Sequence, residues 1–386
     1  MVMASHVLPS LSILYSVGGR QRQDGRQFQK RKTSNMDREK TAKVTSQSEG
    51  AGVPRLDMQQ RVVRQHFVSA GYLARFTLEG ERDSLFYVFS PDGSPMREAI
   101  PDSVGFERHY HDVDVPGFRP DHLEKFFQEF EGPACALFRT LSANPGRSLL
   151  TEEERETVAS FVAVQAARIP QGKNKYERLV IDSRRAFVEE MACSPEFFNK
   201  AMAAAQRYGV EIDSADQRRL LEAIRGGHIV PQVHKTETSV GILRLAYAIA
   251  DQLDGMHYSL LYSDGPDWYV CSDYPVGLFY SLTVSEDPLE HQKAIEWPTL
   301  SPFKSPIFMP LAYNVAIAIH RSENIPTALR ADRRMVARVN TVVVGYSQRF
   351  ICSPSLDFTC VLPNRQLGNA KDTIAALQRF RESEGD

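Results

Sequence analysis

The sequence has few cysteines, and they form no recognisable motif. The five are scattered and no two make a C-x-x-C pair; they are Cys135, Cys193, Cys271, Cys352 and Cys360. An odd number of scattered cysteines is a poor framework for disulfide bonds. We therefore expect reduced thiols in a cytoplasmic protein.

Long apolar runs and a strong net charge are also missing. No apolar run reaches the roughly 18–20 residues that span a bilayer, so we expect no contact with a membrane. The apolar stretch at 7–17 lacks the preceding basic residues and the following cleavage site of a signal peptide. The formal net charge is −2, which is unlike the basic surface of a general nucleic-acid binder. Nucleic acid stays open as a substrate of a local basic cleft.

The common catalytic motifs are absent as well. The chain contains no P-loop and no G-x-G-x-x-G, H-E-x-x-H or G-x-S-x-G sequence. Their absence removes the most frequent nucleotide-binding, zinc-protease and serine-hydrolase interpretations. What remains is a chain of 386 residues, 42% hydrophobic, with the composition of an ordinary globular protein.

The composition changes along the chain and predicts three regions. Residues 1–57 are polar and basic, have little apolar periodicity and are predicted to be a disordered tail. Alternatively, translation starts at Met36 or Met58. Residues 58–365 are predicted to form a single domain of unknown function, and residues 366–386 a polar C-terminal tail.

Hydrophobic periodicity within the predicted domain favours an α+β fold. We expect a mainly helical protein with a small, mostly antiparallel sheet built from strands that are distant in sequence. Helices are predicted over 119–143, 150–170, 174–208, 214–225, 231–253 and 328–354. A strand–turn–strand is predicted over 83–99, a hairpin over 257–281, and a further strand within 306–320.

Several stretches, taken in order, resemble one uncharacterised and mostly bacterial family, domain of unknown function 4238. They are "QHFVSAGYLARF", "FVAVQAARIP", "WYVCSDYPV", "FMPLAYNVAIAI" and "VARVNTVVVGYSQRFICSP". The resemblance covers about residues 61–353. The chain departs from the family pattern at Ser69, where the family has proline, and at Ala312-Tyr313, where it has serine and proline. The resemblance implies a fold and shared positions, but no activity.

Four of the shared positions carry polar groups that are typical of functional sites. His66 can act as a base, an acid or a ligand near neutral pH, or it is the polar edge of the first packed helix. Asp273 is either a catalytic or ligand carboxylate or an Asx cap of the proline turn that follows it. Arg168 can complement its helix dipole or clamp an anion, and Gln165 lies one turn earlier on the same face.

Acidic side chains suggest a metal site. Glu124, Gln128 and Glu131 share one face of the predicted helix, and such a face either holds a cation or is simply solvated. We take Glu131 and Asp273 as candidate ligands of a divalent metal such as Mg²⁺ or Mn²⁺. The stretch "ERHYHDVD" at 107–114 places two alternating histidines beside two aspartates, although its spacing matches no recognised zinc pattern.

Two classes of function fit these residues. In the first, His66, Glu131, Gln165, Arg168 and Asp273 converge in one cleft of a nuclease-like hydrolase that cuts a phosphodiester or similar bond. His66 is then the base, Arg168 stabilises developing charge, and a divalent metal can assist. In the second, the same residues are caps and buried hydrogen-bond partners of a non-enzymatic binding or interaction module.

Overall fold

The computed structural model describes residues 61–114, 119–278 and 306–384. The predicted disordered tail and both alternative translation starts lie outside the described residues. The described chain divides into two compact units. One is Ser183–Pro231, and the other contains the described residues of 59–182 and 232–386.

Short strands and one helical turn form the first part of the larger unit. They are β1 (Arg64–His66), α1 (Ala70–Leu73), β2 (Phe86–Phe89), β3 (Arg97–Ala99) and β4 (Phe106–Arg108). His66 therefore ends a strand, where the sequence had suggested the edge of a helix. β1 pairs with β4 in antiparallel register, with His66 opposite Phe106.

Six helices follow, and their starts coincide with residues that suit helix N-termini. They are α2 (His122–Ala143), α3 (Glu152–Arg168), α4 (Pro170–Cys193), α5 (Pro195–Arg207), α6 (Ser214–Arg225) and α7 (Lys235–Leu253). At α3 the side chains of Thr151 and Glu154 form a reciprocal capping box, which satisfies two otherwise unpaired backbone N–H groups. The helix predicted over 174–208 is broken at Ser194-Pro195, where Ser194 caps α5.

The remaining elements build most of the sheets. They are β5 (His257–Ser263), β6 (Cys271–Ser272), β7 (Gly277–Leu278), β8 (Ile307–Ala312), β9 (Val315–His320), β10 (Ala328–Ala331), α8 (Arg333–Gly345), β11 (Ile351–Ser353), β12 (Cys360–Val361), β13 (Leu367–Gly368) and α9 (Ala370–Glu384). A five-stranded sheet has the order β10-β5-β9-β8-β7, and a four-stranded sheet the order β3-β2-β11-β6. Only the β10–β5 pair is parallel among these strands. The α+β prediction is confirmed.

The hairpin predicted over 257–281 is wrong. The turn at Asp264-Gly265-Pro266 is present, but β5 pairs with β9 and β10, whereas β6 pairs with β11 in the other sheet. The predicted helix over 328–354 is shortened at both ends by strands. Residues 366–386, expected to be a polar tail, contain β13 and α9, which buries Leu377 and Phe380 on its apolar face.

Each unit has its own apolar core. In the smaller unit, Met191, Phe198 and Ile224 are buried together. In the larger unit, the rings of Tyr72 and Phe138 each lie within about 5.3 Å of the Phe161 ring, centroid to centroid. This aromatic contact joins α1, α2 and α3, and so fixes the helices that carry Glu131 and Arg168.

The junction between α3 and α4 depends on a glycine. A Cβ atom at Gly172 would lie 2.7 Å from the carbonyl oxygens of both Ala166 and Ala167. No side chain tolerates such an approach to backbone atoms, so only glycine lets α4 begin directly beneath the end of α3.

Among the helices of the described ranges, none combines the length and the apolar composition that a membrane span requires.

Candidate functional site

A buried arginine organises the polar residues that the sequence had singled out. Arg168 lies in the last turn of α3 and is fully buried. Its Nη1 donates to Glu131 Oε1, and its Nη2 donates to Gln165 Oε1 at 2.8 Å. Ser69 Oγ donates to the other oxygen of Glu131 at 2.8 Å. Three of the predicted site residues, Glu131, Gln165 and Arg168, are thus in direct contact.

Gln165 ties this network to the backbone next to His66. Its Nε2 donates to the carbonyl oxygen of Phe67 at 2.8 Å. The three-residue spacing of Gln165 and Arg168 places both side chains on one face of α3, as the sequence predicted. Each Nη group of Arg168 is held by a side chain of the protein, and because the residue is fully buried its charge acts from within the protein.

His66 borders this network as a neutral imidazole. Its ring lies 5.6 Å from the Phe106 ring, centroid to centroid, and its Nε2 is buried without a hydrogen-bond partner. Burial lowers the pKa of His66 to about 4, opposed by Glu131 and reinforced by Arg168. At neutral pH the ring is therefore uncharged and able to accept a proton.

Glu124 is a site residue that the sequence analysis left out of the predicted catalytic set. It lies on α2, two turns before Glu131, and is 7% exposed. Its Oε1 lies 3.5 Å from the backbone nitrogen of His66, and its Oε2 is buried without a partner. Burial raises the pKa of Glu124 to about 7, with Glu131 raising it further and Arg168 opposing the rise.

The sequence contained part of the information that singles out Glu124 as a candidate site residue. The helical face shared by Glu124, Gln128 and Glu131 was visible, but the pattern alone could not tell which member is buried. In the structure Gln128 is exposed, whereas Glu124 faces the interior. We call His66, Ser69, Glu124, Glu131, Gln165 and Arg168 the Arg168 cluster.

Several unpartnered polar atoms belong to the Arg168 cluster or to residues near it in the chain, and others lie elsewhere in the described residues. Buried side-chain atoms without a hydrogen-bond partner include His66 Nε2, Tyr110 Oη, His111 Nε2, Glu124 Oε2, Arg168 Nε and Gln171 Oε1. The rings of Tyr110 and His111 are in edge-to-face contact, and Phe127 packs against both His111 and Arg168. Native proteins rarely leave buried polar groups unsatisfied, and such groups mark sites of catalysis or of bound water and ligands.

Asp273 has a different environment from the other predicted site residues. Its Oδ1 accepts from the backbone N–H groups of Gln348, Arg349 and Phe350 at 2.9, 3.1 and 3.4 Å. Its Oδ2 accepts from Gln171 Nε2 at 3.1 Å. These contacts make the carboxylate a cap of the turn between α8 and β11, and not of the proline turn that follows Asp273, for which the sequence had suggested it. None of them is with a member of the Arg168 cluster.

We predict that Asp273→Ala destabilises the larger unit. The change leaves three backbone N–H groups without their acceptor, one of them, that of Phe350, buried, and the expected loss of unfolding free energy is about 1–3 kcal/mol. Urea denaturation monitored by circular dichroism measures this loss. The control is Asp372→Ala, because Asp372 lies in the same unit and is exposed. Asp357 would not serve as a control, because its carboxylate caps α9. A loss no larger than that of Asp372→Ala would contradict the cap.

The predicted metal ligands are held by other partners. In the described ranges, no group of three or more His, Cys, Asp or Glu side chains is arranged to hold a metal ion. Glu131 is engaged by Ser69 and Arg168, and Asp273 by backbone amides and Gln171. The donor set therefore does not fit one metal ion shared by Glu131 and Asp273. That either carboxylate alone binds a metal ion stays a prediction from the sequence.

The histidines of "ERHYHDVD" separate in the structure. His109 Nδ1 lies 3.0 Å from Asp112 Oδ2 near the surface, whereas His111 is buried against Phe127. A groove of about 380 Å³ elsewhere in the larger unit shares no residue with the Arg168 cluster. It is lined by Leu362, Pro363, Asn364, Ala376, Arg379, Phe380 and Ser383.

Comparison with known proteins identifies the family. The family model described as "Protein of unknown function (DUF4238)" matches residues 64–356, which include every member of the Arg168 cluster as well as Asp273. The chain belongs to this family. No curated protein and no solved structure matches the chain.

Proposed function

We propose that this protein is a hydrolase that cuts a phosphodiester or similar bond at the Arg168 cluster. The observation that carries the proposal is the pair of unpartnered buried atoms, His66 Nε2 and Glu124 Oε2, beside the charge of Arg168. A carboxyl group with a pKa of about 7 is suited to donate a proton near neutral pH. His66, with a pKa of about 4, is a weak proton acceptor at that pH, and Glu131 is the neighbour whose charge favours its protonated form.

The proposed reaction uses one water molecule. Its oxygen bonds to phosphorus while His66 Nε2 takes its proton, and the bond from phosphorus to the leaving oxygen breaks. Protonated Glu124 donates its proton to that leaving oxygen. A proton transfer from His66 to Glu124 then restores both groups. Arg168, positioned by Glu131 and Gln165, supplies positive charge beside the developing negative charge.

Accessibility and compartment both bear on this proposal. His66 and Glu131 are partly exposed as residues, whereas the atoms His66 Nε2 and Glu124 Oε2 are buried, so the proposal requires the protein surface beside His66 to open for a substrate. All five cysteines are unpaired, which supports the cytoplasm, a reducing compartment, as the place of action.

We expect His66→Gln to abolish most of the hydrolysis while the protein stays folded. The assay measures cleavage of bis-p-nitrophenyl phosphate and of single-stranded oligonucleotides at pH 7, with and without a chelator. Loss of a positioned proton acceptor reduces rates by about 10²- to 10⁴-fold. His228→Gln, at an exposed position in the smaller unit, is the matched control. Equal rates for both variants would exclude His66 from the chemistry.

A second function is favoured by the full burial of Arg168 and by the cap at Asp273. Under that alternative the protein is a non-enzymatic binding or interaction module, and the polar residues only stabilise it. The alternative expects no hydrolysis by the wild-type protein and a loss of stability in every variant of the Arg168 cluster.

A further inference from the structure

One face of α7 packs inside the larger unit, and the opposite face is exposed. The buried face carries Ile242 and Ala246, which belong to one apolar cluster with Val164 and Ala167 of α3. A helix repeats every 3.6 residues, so the positions four, seven and eleven residues after Val240 align with it on the other side. All four of these positions are exposed, and α7 therefore presents one continuous face to solvent.

The exposed face combines two large apolar side chains with two opposite charges. Its residues are Val240, Arg244, Tyr247 and Asp251, which we call the α7 stripe. Tyr247 is 73% exposed, the largest exposed fraction among the large hydrophobic side chains of the described residues, and Val240 is 40% exposed. Tyrosine and arginine are enriched at protein–protein interfaces. The composition of the α7 stripe is therefore that of a contact surface.

The two charges of the α7 stripe have no partner within the chain. Across the ranges that the structure describes, neither the Arg244 nor the Asp251 side chain forms a hydrogen bond or an ion pair. The two residues lie seven positions apart, about 10 Å along the helix axis, too far to pair with each other. Surface ion pairs on other helices of this chain use shorter spacings, as Glu196 and Lys200 do at four residues. Arg244 and Asp251 are thus both available to a partner outside the chain.

The order of the residues makes the α7 stripe complementary to itself. The midpoint between Arg244 and Asp251 falls between Tyr247 and Ala248. If a second α7 runs antiparallel about a two-fold axis at that midpoint, Arg244 of each copy lies opposite Asp251 of the other, and two equivalent ion pairs form. Tyr247 then lies opposite Ala248, whose small side chain leaves room for the ring. A two-fold interface requires this kind of self-complementary patch.

We propose that the α7 stripe is the contact between two copies of this chain in a symmetric dimer. Val240 and Tyr247 supply the apolar part of the contact, and the two pairs of Arg244 with Asp251 set the antiparallel orientation. A contact made by one helix face is small, so we expect a weak dimer that exchanges with the monomer. The α7 stripe contains no member of the Arg168 cluster, and the inference is independent of the proposed hydrolysis.

Sedimentation velocity of the whole protein across micromolar concentrations tests the dimer. We expect the wild-type mass to rise with concentration from one chain towards two. Tyr247→Ala is expected to weaken dimerisation about tenfold or more, because truncating a central aromatic side chain removes much of the binding energy of a contact. Arg244→Glu and Asp251→Lys each place like charges opposite one another, and each variant is expected to stay monomeric.

Mixing the two charge variants tests the orientation. In a mixed pair, the new glutamate of one chain faces the new lysine of the other, and the native Asp251 faces the native Arg244. We therefore expect the dimer to return in an equimolar mixture of Arg244→Glu and Asp251→Lys, and also in the double variant. Arg139→Glu reverses an exposed charge on α2 and is expected to dimerise like wild type. Circular dichroism of each variant checks that it is folded.

Three results would overturn the proposal. The first is a wild-type protein that stays monomeric throughout the concentration range. The second is a dimer that survives Tyr247→Ala and both charge variants unchanged, which would place the contact on another surface. The third is a dimer that is lost in the folded charge variants and does not return in their mixture, which would exclude the antiparallel pairing.

Discussion

Replacing Arg168 with methionine is expected to lower the free energy of unfolding by about 3–5 kcal/mol, since breaking a buried ion pair leaves an uncompensated charge. Arg168 is fully buried, and its partner Glu131 is 17% exposed at the side chain. The Arg168→Met variant leaves the Glu131 carboxylate without its cationic partner and Gln165 Oε1 without its hydrogen-bond donor. Denaturant titration followed by circular dichroism measures the loss.

A matched surface arginine and a double variant sharpen this test. Arg139 pairs with Glu81 at 3.5 Å, and both side chains are well exposed, so Arg139→Met is expected to change stability by less than about 1 kcal/mol. Adding Glu131→Gln to Arg168→Met removes the unpaired Glu131 carboxylate charge and is expected to restore part of the stability. If Arg168→Met resembled Arg139→Met, the organising role of Arg168 would be wrong.

Glu124→Gln is expected to make the protein more stable at pH 8 and, at the same time, inactive. Folding raises the pKa of Glu124 from 4.5 to about 7. Between these values the folded protein holds a proton that the unfolded chain has lost, so stability falls as the pH rises. The ionised carboxylate costs up to about 3 kcal/mol above pH 7. Glutamine cannot ionise and avoids this cost.

The histidines act in a lower pH window and with the opposite sign. The pKa of His66 falls from 6.5 to about 4 on folding, and that of His111 is also lowered. The unfolded chain therefore binds the extra protons between about pH 4 and 6.5, and stability rises with pH there. Of these three groups, only Glu124 acts between pH 6.5 and 8. The histidine contributions cancel in the difference between wild type and Glu124→Gln, which is expected to grow mainly between about pH 4.5 and pH 7. A difference that does not grow over that interval would show that Glu124 is not held as proposed.

Local chemistry made several helices predictable from the sequence. α3 begins directly after its cap Thr151 and ends at Arg168, two residues before Pro170, because capping side chains and proline act within a few residues. The contact between Gln165 and Arg168 is predictable for the same reason, since helical spacing alone brings the two side chains together. The α+β class also follows from periodicity.

Long-range pairing was not predictable in this way. β5 and β6 have the turn between them that a hairpin needs, yet β5 lies beside β9, whose residues are about 60 positions further along the chain. Asp273 likewise finds its partners at Gln348, Arg349 and Phe350, about 75 positions away. A sequence pattern shows that a strand or a cap exists, but not which distant segment completes it.

Only part of the candidate site was predictable from the sequence, because burial and long-range contacts decide the rest. Residue type and family position indicated His66, Glu131 and Arg168, all of which belong to the Arg168 cluster. Glu124 was missing from the predicted site because its raised pKa depends on burial, and burial is a property of the fold. Asp273 was included because its residue type suits catalysis, although the structure holds it as a cap.

The most direct test of the proposed function compares wild type, Glu124→Gln and Glu129→Gln in one phosphodiester hydrolysis assay at pH 7. Glu129 lies on the same helix as Glu124 but is exposed. We predict that Glu129→Gln keeps the wild-type rate and that Glu124→Gln loses about 10²- to 10⁴-fold while remaining folded. A wild-type protein without hydrolytic activity, or a Glu124→Gln variant as active as Glu129→Gln, would contradict the account.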